Sequence, residues 1–126
     1  MSDAEPSPRE LEVLKALWEL GSGSVRAVHR RMCPGGELAF NTVQTLLRIM
    51  EGKQLVTHHC EGRTFIYTPR FSREALSSRF LDRVFDGAAS ELMLSLIRAE
   101  RVTEDELDRM HVLIAEARVR RPGGAA

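Results

Sequence analysis

Apolar residues recur at helical spacing along most of the chain and alternate in strand fashion over one short stretch only. Leu11, Leu14, Leu17 and Trp18 share one face of a first helix, with Trp18 expected as a core anchor. The helix start is written in Ser7-Pro8-Arg9-Glu10: a hydroxyl to cap, a proline suited to the first turn, and a glutamate three residues past the cap. Gly21 ends this helix and Ser22-Gly23 forms a turn. Ser24 can cap a short second helix, Val25–Met32, with Val25, Val28 and Met32 inward and Arg26, Arg30 and Arg31 outward. Cys33-Pro34-Gly35-Gly36 breaks the chain. Val43, Leu46, Leu47 and Met50 then fall at i, i+3, i+4 and i+7, which predicts a third helix with one buried stripe. It starts either on a capping box of Asn41 with Gln44 or nearer Ala39, and Gly52 and Lys53 close it.

The strand signal follows. Residues 55–59 and 63–68 read as two strands around a Glu61-Gly62 turn, with Thr64 and Ile66 on one side of the second strand and Phe65 and Tyr67 on the other. Pro69 stops the hairpin. Helical spacing then returns. Ser72 caps a fourth helix bearing Leu76, Phe80, Leu81, Val84 and Phe85, and Gly87 ends it. A fifth helix, residues 88–100, carries Leu92, Met93, Leu96 and Ile97. Thr103 to Glu106 is a capping box for a sixth, which carries Leu107, Met110, His111, Ile114 and Ala117 on one side. Residues 120–126 read as a fraying tail. Three helices and a hairpin are the order of a winged helix-turn-helix. The expected fold is therefore mainly α: a winged helix over residues 7–70 and a helical arm over residues 71–120.

The arm changes the picture of assembly. About 50 residues in three helices cannot bury that much apolar surface alone. The stripes of Leu92, Met93, Leu96, Ile97, Leu107, Met110 and Ile114 are accordingly expected to form a dimer contact, and His111 to sit in an interface or core.

Charge changes the picture of function. The 126 residues carry 18 basic and 18 acidic side chains, a formal net charge of zero. The distribution is uneven. Residues 22–70 hold seven basic groups against three acidic, whereas residues 1–21 hold two against five and residues 71–126 nine against ten. A basic middle suits a polyanion-binding surface. At about 100° per residue, the face of the third helix opposite its buried stripe gathers Asn41, Thr45 and Arg48, with Thr42 and Gln44 on its shoulders. Short hydroxyls and amides with one guanidinium are the groups that read base edges and phosphates in a major groove. Arg63, beside the glycine turn, suits a neighbouring phosphate or the minor groove. The alternative reading is a winged-helix adaptor that binds protein and not specific DNA, leaving the polar face merely solvated.

Several chemistries are excluded. The sequence holds no phosphate-binding glycine loop, no Cys-x-x-Cys pair, and no histidine in a metalloprotease context. A binding protein without cofactor or metal is expected rather than an enzyme. His58-His59-Cys60 offers soft ligands, but consecutive strand residues alternate faces and cannot all reach one ion. Residues 1–8 lack the basic and apolar segments of a secretory signal, and no apolar run approaches the length of a membrane span. A cytoplasmic protein with Cys33 and Cys60 reduced is expected.

Residues 9–18 (RELEVLKALW), 41–48 (NTVQTLLR) and 58–69 (HHCEGRTFIYTP) resemble the beta-lactamase (penicillinase) repressor family, which includes methicillin-resistance and copper-transport repressors. The likeness continues through residues 80–87 (FLDRVFDG) and from Ser90 to Ile114, so it covers nearly the whole chain. It implies a homodimeric transcriptional repressor whose winged helix binds a palindromic DNA operator and whose arm dimerises. Carried onto this chain, the DNA-contacting positions are Asn41, Thr42, Gln44, Thr45, Arg48 and, in the wing, Arg63. Some members have Ser-Pro-Lys where this chain has Ala39-Phe40-Asn41, so the same operator sequence is not implied. The resemblance also implies a membrane sensor protease as a partner, cutting within the fifth helix near Ser95-Leu96, although the Asn-Phe pair of well-known members is absent there. The cysteine-rich C-terminal metal site of copper-responsive members has no counterpart, because no cysteine follows Cys60.

Overall fold

The computed structural model describes residues 5–121; the first half of the segment read for a secretory signal and most of the expected tail lie outside the described residues. The elements are α1 (Pro8–Leu20), α2 (Val25–Met32), α3 (Phe40–Gly52), β1 (Val56–Glu61), β2 (Thr64–Pro69), α4 (Arg73–Phe85), α5 (Ala89–Arg98) and α6 (Glu104–Arg120). The chain forms two compact units, residues 1–77 and 78–126, and the boundary falls inside α4. Among the described residues no helix is long and apolar enough to cross a membrane.

In the first unit the apolar stripes of three helices and the root of the hairpin meet. Val13, Leu14, Leu17, Val28, Val43, Leu47, Met50, Leu55, Val56 and Tyr67 are buried together. Leu46, Met32 and Trp18 pack against this cluster at its edge rather than inside it. The Trp18 indole N–H donates to the Phe71 carbonyl at 2.8 Å, and the Arg73 guanidinium lies 5.2 Å from its ring centroid. One indole face is therefore covered by a cation and its polar edge is satisfied.

Glu10 does more than the sequence shows. It closes the capping box with Ser7, and its carboxylate, only 4% exposed, also accepts from Lys53 Nζ at 3.0 Å to each oxygen. Burial pushes its pKa up, but the Ser7 backbone N–H and the Lys53 ammonium outweigh that, and the carboxyl stays below the usual carboxylate range. A depressed carboxyl gives stability that is present above the ordinary carboxylate pKa and is lost as pH falls through the folded-state value. Lys53→Ala leaves that carboxylate without its cation. The substitution is expected to cost about 1–3 kcal/mol at neutral pH, the half-exposed lysine keeping the figure below that of a fully buried pair. The acid limb of the stability profile should move to higher pH, as read by thermal denaturation across a pH series.

The helix ends fall where the sequence put them. Gly52 is the last residue of α3 and Lys53 its C-cap; Gln54 then takes the left-handed conformation (φ 65°), and the Leu55 N–H closes the turn onto the Met50 carbonyl at 2.9 Å. After α4, Asp86 (φ 51°) and Gly87 (φ 83°) are both left-handed. The hairpin is shifted from expectation. Glu61 pairs with Thr64, so the two-residue turn is Gly62-Arg63, Gly62 holding φ 66° where glycine is favoured. Pro69 is the last strand residue and not a stop after the strand. Gly23 adds an antiparallel bridge to Tyr67, with N–H···O distances of 2.9 and 2.8 Å.

No residue of α5 or α6, which lie in the second unit, is buried, and none of α4, which spans the boundary, is. Thr103 and Glu106 form the expected capping box at the start of α6.

Candidate nucleic-acid interface

The third helix is placed by its neighbours. Val43, Leu47 and Met50 sink into the core and fix its rotation about its axis. Its start is fixed from α2: His29 Nε2 donates to the Leu38 carbonyl at 2.6 Å, and the His29 ring meets the Phe40 ring edge-on at 6.0 Å. The helix begins at Phe40, capped by Ala39 with no side-chain hydrogen bond, so the Asn41–Gln44 capping box does not form and the start nearer Ala39 does. The Asn41 amide is thereby not spent on the backbone.

Asn41, Thr42, Thr45 and Arg48 are exposed on α3, and Gln44 is half-buried. Phe40, Gln44 and Arg48, spaced by four residues, form one wall of a groove of about 390 Å³. The N-terminal turn of α2 contributes Ser24, Val25 and Arg26, and the hairpin contributes Arg63, Thr64, Phe65 and Tyr67. The structure thus brings Gln44, Arg48 and Arg63 to one groove. Asn41, Thr42 and Thr45 lie on the exposed face of α3 outside it. Arg26 counts in the sequence among the basic groups of the middle segment suited to a polyanion, and only the structure puts it in this groove. Sequence reasoning missed Phe40, 40% exposed, which enters the groove because the helix starts at Phe40 and not after an Asn41 cap.

Three guanidiniums, from Arg26, Arg48 and Arg63, line this groove, and no carboxylate among the described residues forms an ion pair with any of them. The other basic residues of the middle segment are partly engaged. Arg31 is bonded to Glu19 at 2.6 Å, and Lys53 to Glu10. The floor is aromatic. Tyr67 is buried, and its hydroxyl pKa is raised by burial and by the nearby Glu51 carboxylate, with Arg48 acting the other way.

His58, His59 and Cys60 do not converge. His58 turns inward and its Nδ1 donates to Glu51, while His59 lies 3.2 Å from Glu61 on the other face. No cluster of three potential metal ligands occurs among the described residues. Cys33 is buried and Cys60 exposed, both as free thiols.

The seven arm residues singled out in the sequence are unburied within the chain. Leu92, Met93 and Met110 are half-buried, and Leu96, Ile97, Leu107 and Ile114 are exposed, Ile114 at 53%. The periodicity understated the surface, since Leu94, Val112 and Leu113 are exposed as well. His111 is exposed and belongs to no core of this chain.

Residues 6–116 match the penicillinase repressor family. The chain belongs to that family. Penicillinase repressors are regulators and not enzymes, in line with the lack of catalytic motifs. The penicillinase repressor of Bacillus licheniformis is 28% identical over 119 residues, which span 91% of this chain and 93% of that protein. The solution structure of the DNA-binding domain of the repressor BlaI matches at 32% identity with a TM-score of 0.51, over 56% of this chain and 87% of that one. The Bacillus licheniformis BlaI monomeric form in complex with the blaP half-operator matches at 32% identity and a TM-score of 0.50, over 57% of this chain and 88% of that one.

Proposed function

We propose that this penicillinase-repressor family member is a homodimeric, cytoplasmic transcriptional repressor. Its winged helix binds one half of a palindromic DNA operator, and its helical arm, residues 71–120, holds the dimer together. The observation that carries the reading is the groove itself. Three unpaired guanidiniums from α2, α3 and the hairpin line a groove whose α3 wall is Phe40, Gln44 and Arg48, next to the exposed polar residues of that helix, a layout that suits phosphates flanking a major groove. Asn41, Thr42, Gln44, Thr45 and Arg48 are assigned to base edges and adjacent phosphates, and Arg63 and Arg26 to the backbone on either side. The BlaI structure on a half-operator supports the assignment of one winged helix to one half-site. Binding needs no cofactor in this reading.

Inactivation by a membrane sensor protease belongs to the same proposal. The Ser95-Leu96 bond lies inside α5, so a protease reaches it only once that helix opens locally. Within one chain α5 has no buried side chain, so in this reading its opening is opposed by the dimer contact and not by a core of its own chain.

Arg48→Ala and Arg63→Ala are each expected to weaken operator binding by about 1–3 kcal/mol while leaving the fold intact. Fluorescence anisotropy with the DNA upstream of the protein's own gene, at fixed salt, measures this. Wild-type protein that binds this DNA no better than a scrambled duplex would favour the protein-interaction adaptor instead.

A further inference from the structure

We propose that His58 is the positioning residue of the wing: through Glu51 it locks the hairpin to the third helix and so sets where Arg63 meets DNA. The inference rests on the DNA-binding reading above and assigns to that site a residue that touches no DNA itself.

The geometry isolates His58. A two-stranded hairpin is marginal on its own in water. Here the root is secured, because Leu55, Val56 and Tyr67 are buried and Gly23 bridges to Tyr67. The outer part is not, since residues 59–65 are all exposed. His58 stands at the junction. Its Nδ1–H donates to the Glu51 carboxylate, 2.8 and 2.7 Å from the two oxygens. Among the described residues no other hydrogen bond joins a hairpin side chain to α3. The same imidazole stacks flat on Phe65, with centroids 4.0 Å apart and planes 10° from parallel, and tilts against Tyr67 at 5.6 Å. Phe65 lies two residues beyond Arg63 on β2. One ring therefore grips α3 through its nitrogen and the outer strand through its face.

Glu51 has a second consequence. It lies three residues after Arg48 on α3, a spacing at which a glutamate can pair with an arginine. With the carboxylate turned to His58 instead, Arg48 stays unpaired for DNA.

The test is a double-mutant cycle on the full-length protein with the operator duplex, read by anisotropy titration. In the wild-type background Arg63→Ala is expected to weaken binding roughly 5- to 150-fold. In the His58→Ala background the same change should cost less than about threefold, because a loose wing no longer presents Arg63. The penalty of Arg26→Ala, which is set by α2, should be the same in both backgrounds. His58→Gln, which retains an amide donor for Glu51, should restore part of the Arg63 penalty, a recovery that a merely structural role would not give. Glu51→Ala provides the same cycle from the other side of the contact should His58→Ala fail to fold. An Arg63→Ala penalty undiminished in the His58→Ala or Glu51→Ala background overturns the lock while leaving the DNA reading standing. Arg63→Ala without effect in wild type overturns the wing's part in DNA binding itself.

Discussion

Ile114→Glu is expected to turn the protein monomeric and to weaken operator binding about 10²- to 10⁴-fold, the range by which linking two sites raises avidity. Ile114 is 53% exposed on α6, beside Val112 and Leu113 at 54% each, and α5 adds Leu94, Leu96 and Ile97. None of the three arm helices has a buried residue. A chain seldom leaves so many large apolar side chains in water on two short helices unless a partner covers some of them, and a second copy related by a two-fold axis is the usual partner. A carboxylate at the centre of that contact would be buried without a counter-charge in both protomers. The winged helix has its own core around Leu14, Leu47 and Tyr67, so the variant should keep that unit folded and retain weak half-site binding. Sedimentation at micromolar concentration and a titration with the full operator check both parts. A variant that stays dimeric, or a wild type that sediments as a monomer, would remove the arm from the assembly.

The parts that were legible in the sequence are those governed by local rules. The stripe of Val43, Leu47 and Met50 and the caps at Ser7, Ser24 and Thr103 each depend on neighbours within a turn or two, and each stands where the spacing put it. The start of α3 was ambiguous because Asn41 and Gln44 satisfy a capping pattern that the backbone does not use. Gly52 and Gly87 stand at the ends of α3 and α4 as expected, but the left-handed conformation is taken by Gln54 after α3 and by Asp86 as well as Gly87 after α4, and no glycine marks the first two. Long-range pairs left no local mark. Glu10 meets Lys53 across 43 positions and Arg31 meets Glu19 across 12, and both pairs remove cations that the sequence offered to phosphate. The groove depends on the same kind of information. Arg26, Arg48 and Arg63 come from three elements, and only the packing of α2, α3 and the hairpin shows that they share one space.

Inserting about five base pairs between the half-sites is expected to abolish dimer binding, whereas inserting about ten should restore much of it. Two copies of α3 related by a two-fold axis must approach one side of the duplex, so half-site centres lie whole helical turns apart, about 10 bp or a multiple. Five extra pairs turn one half-site to the far side; ten bring it back at the cost of stretching the arms. Salt dependence tests the same arrangement from the electrostatic side. Arg31 and Lys53 are held by Glu19 and Glu10, which leaves the three groove arginines, Arg26, Arg48 and Arg63, as the phosphate partners in each subunit. With about six phosphates neutralised per dimer, the slope of log affinity against log salt should lie near −5, and Arg63→Ala should flatten it by about two. A series of gel shifts over spacer length, repeated at several salt concentrations, measures both. Affinity indifferent to the spacer would rule out a symmetric dimer seated in successive major grooves. A slope near zero would mean that the three arginines do not face the backbone at all.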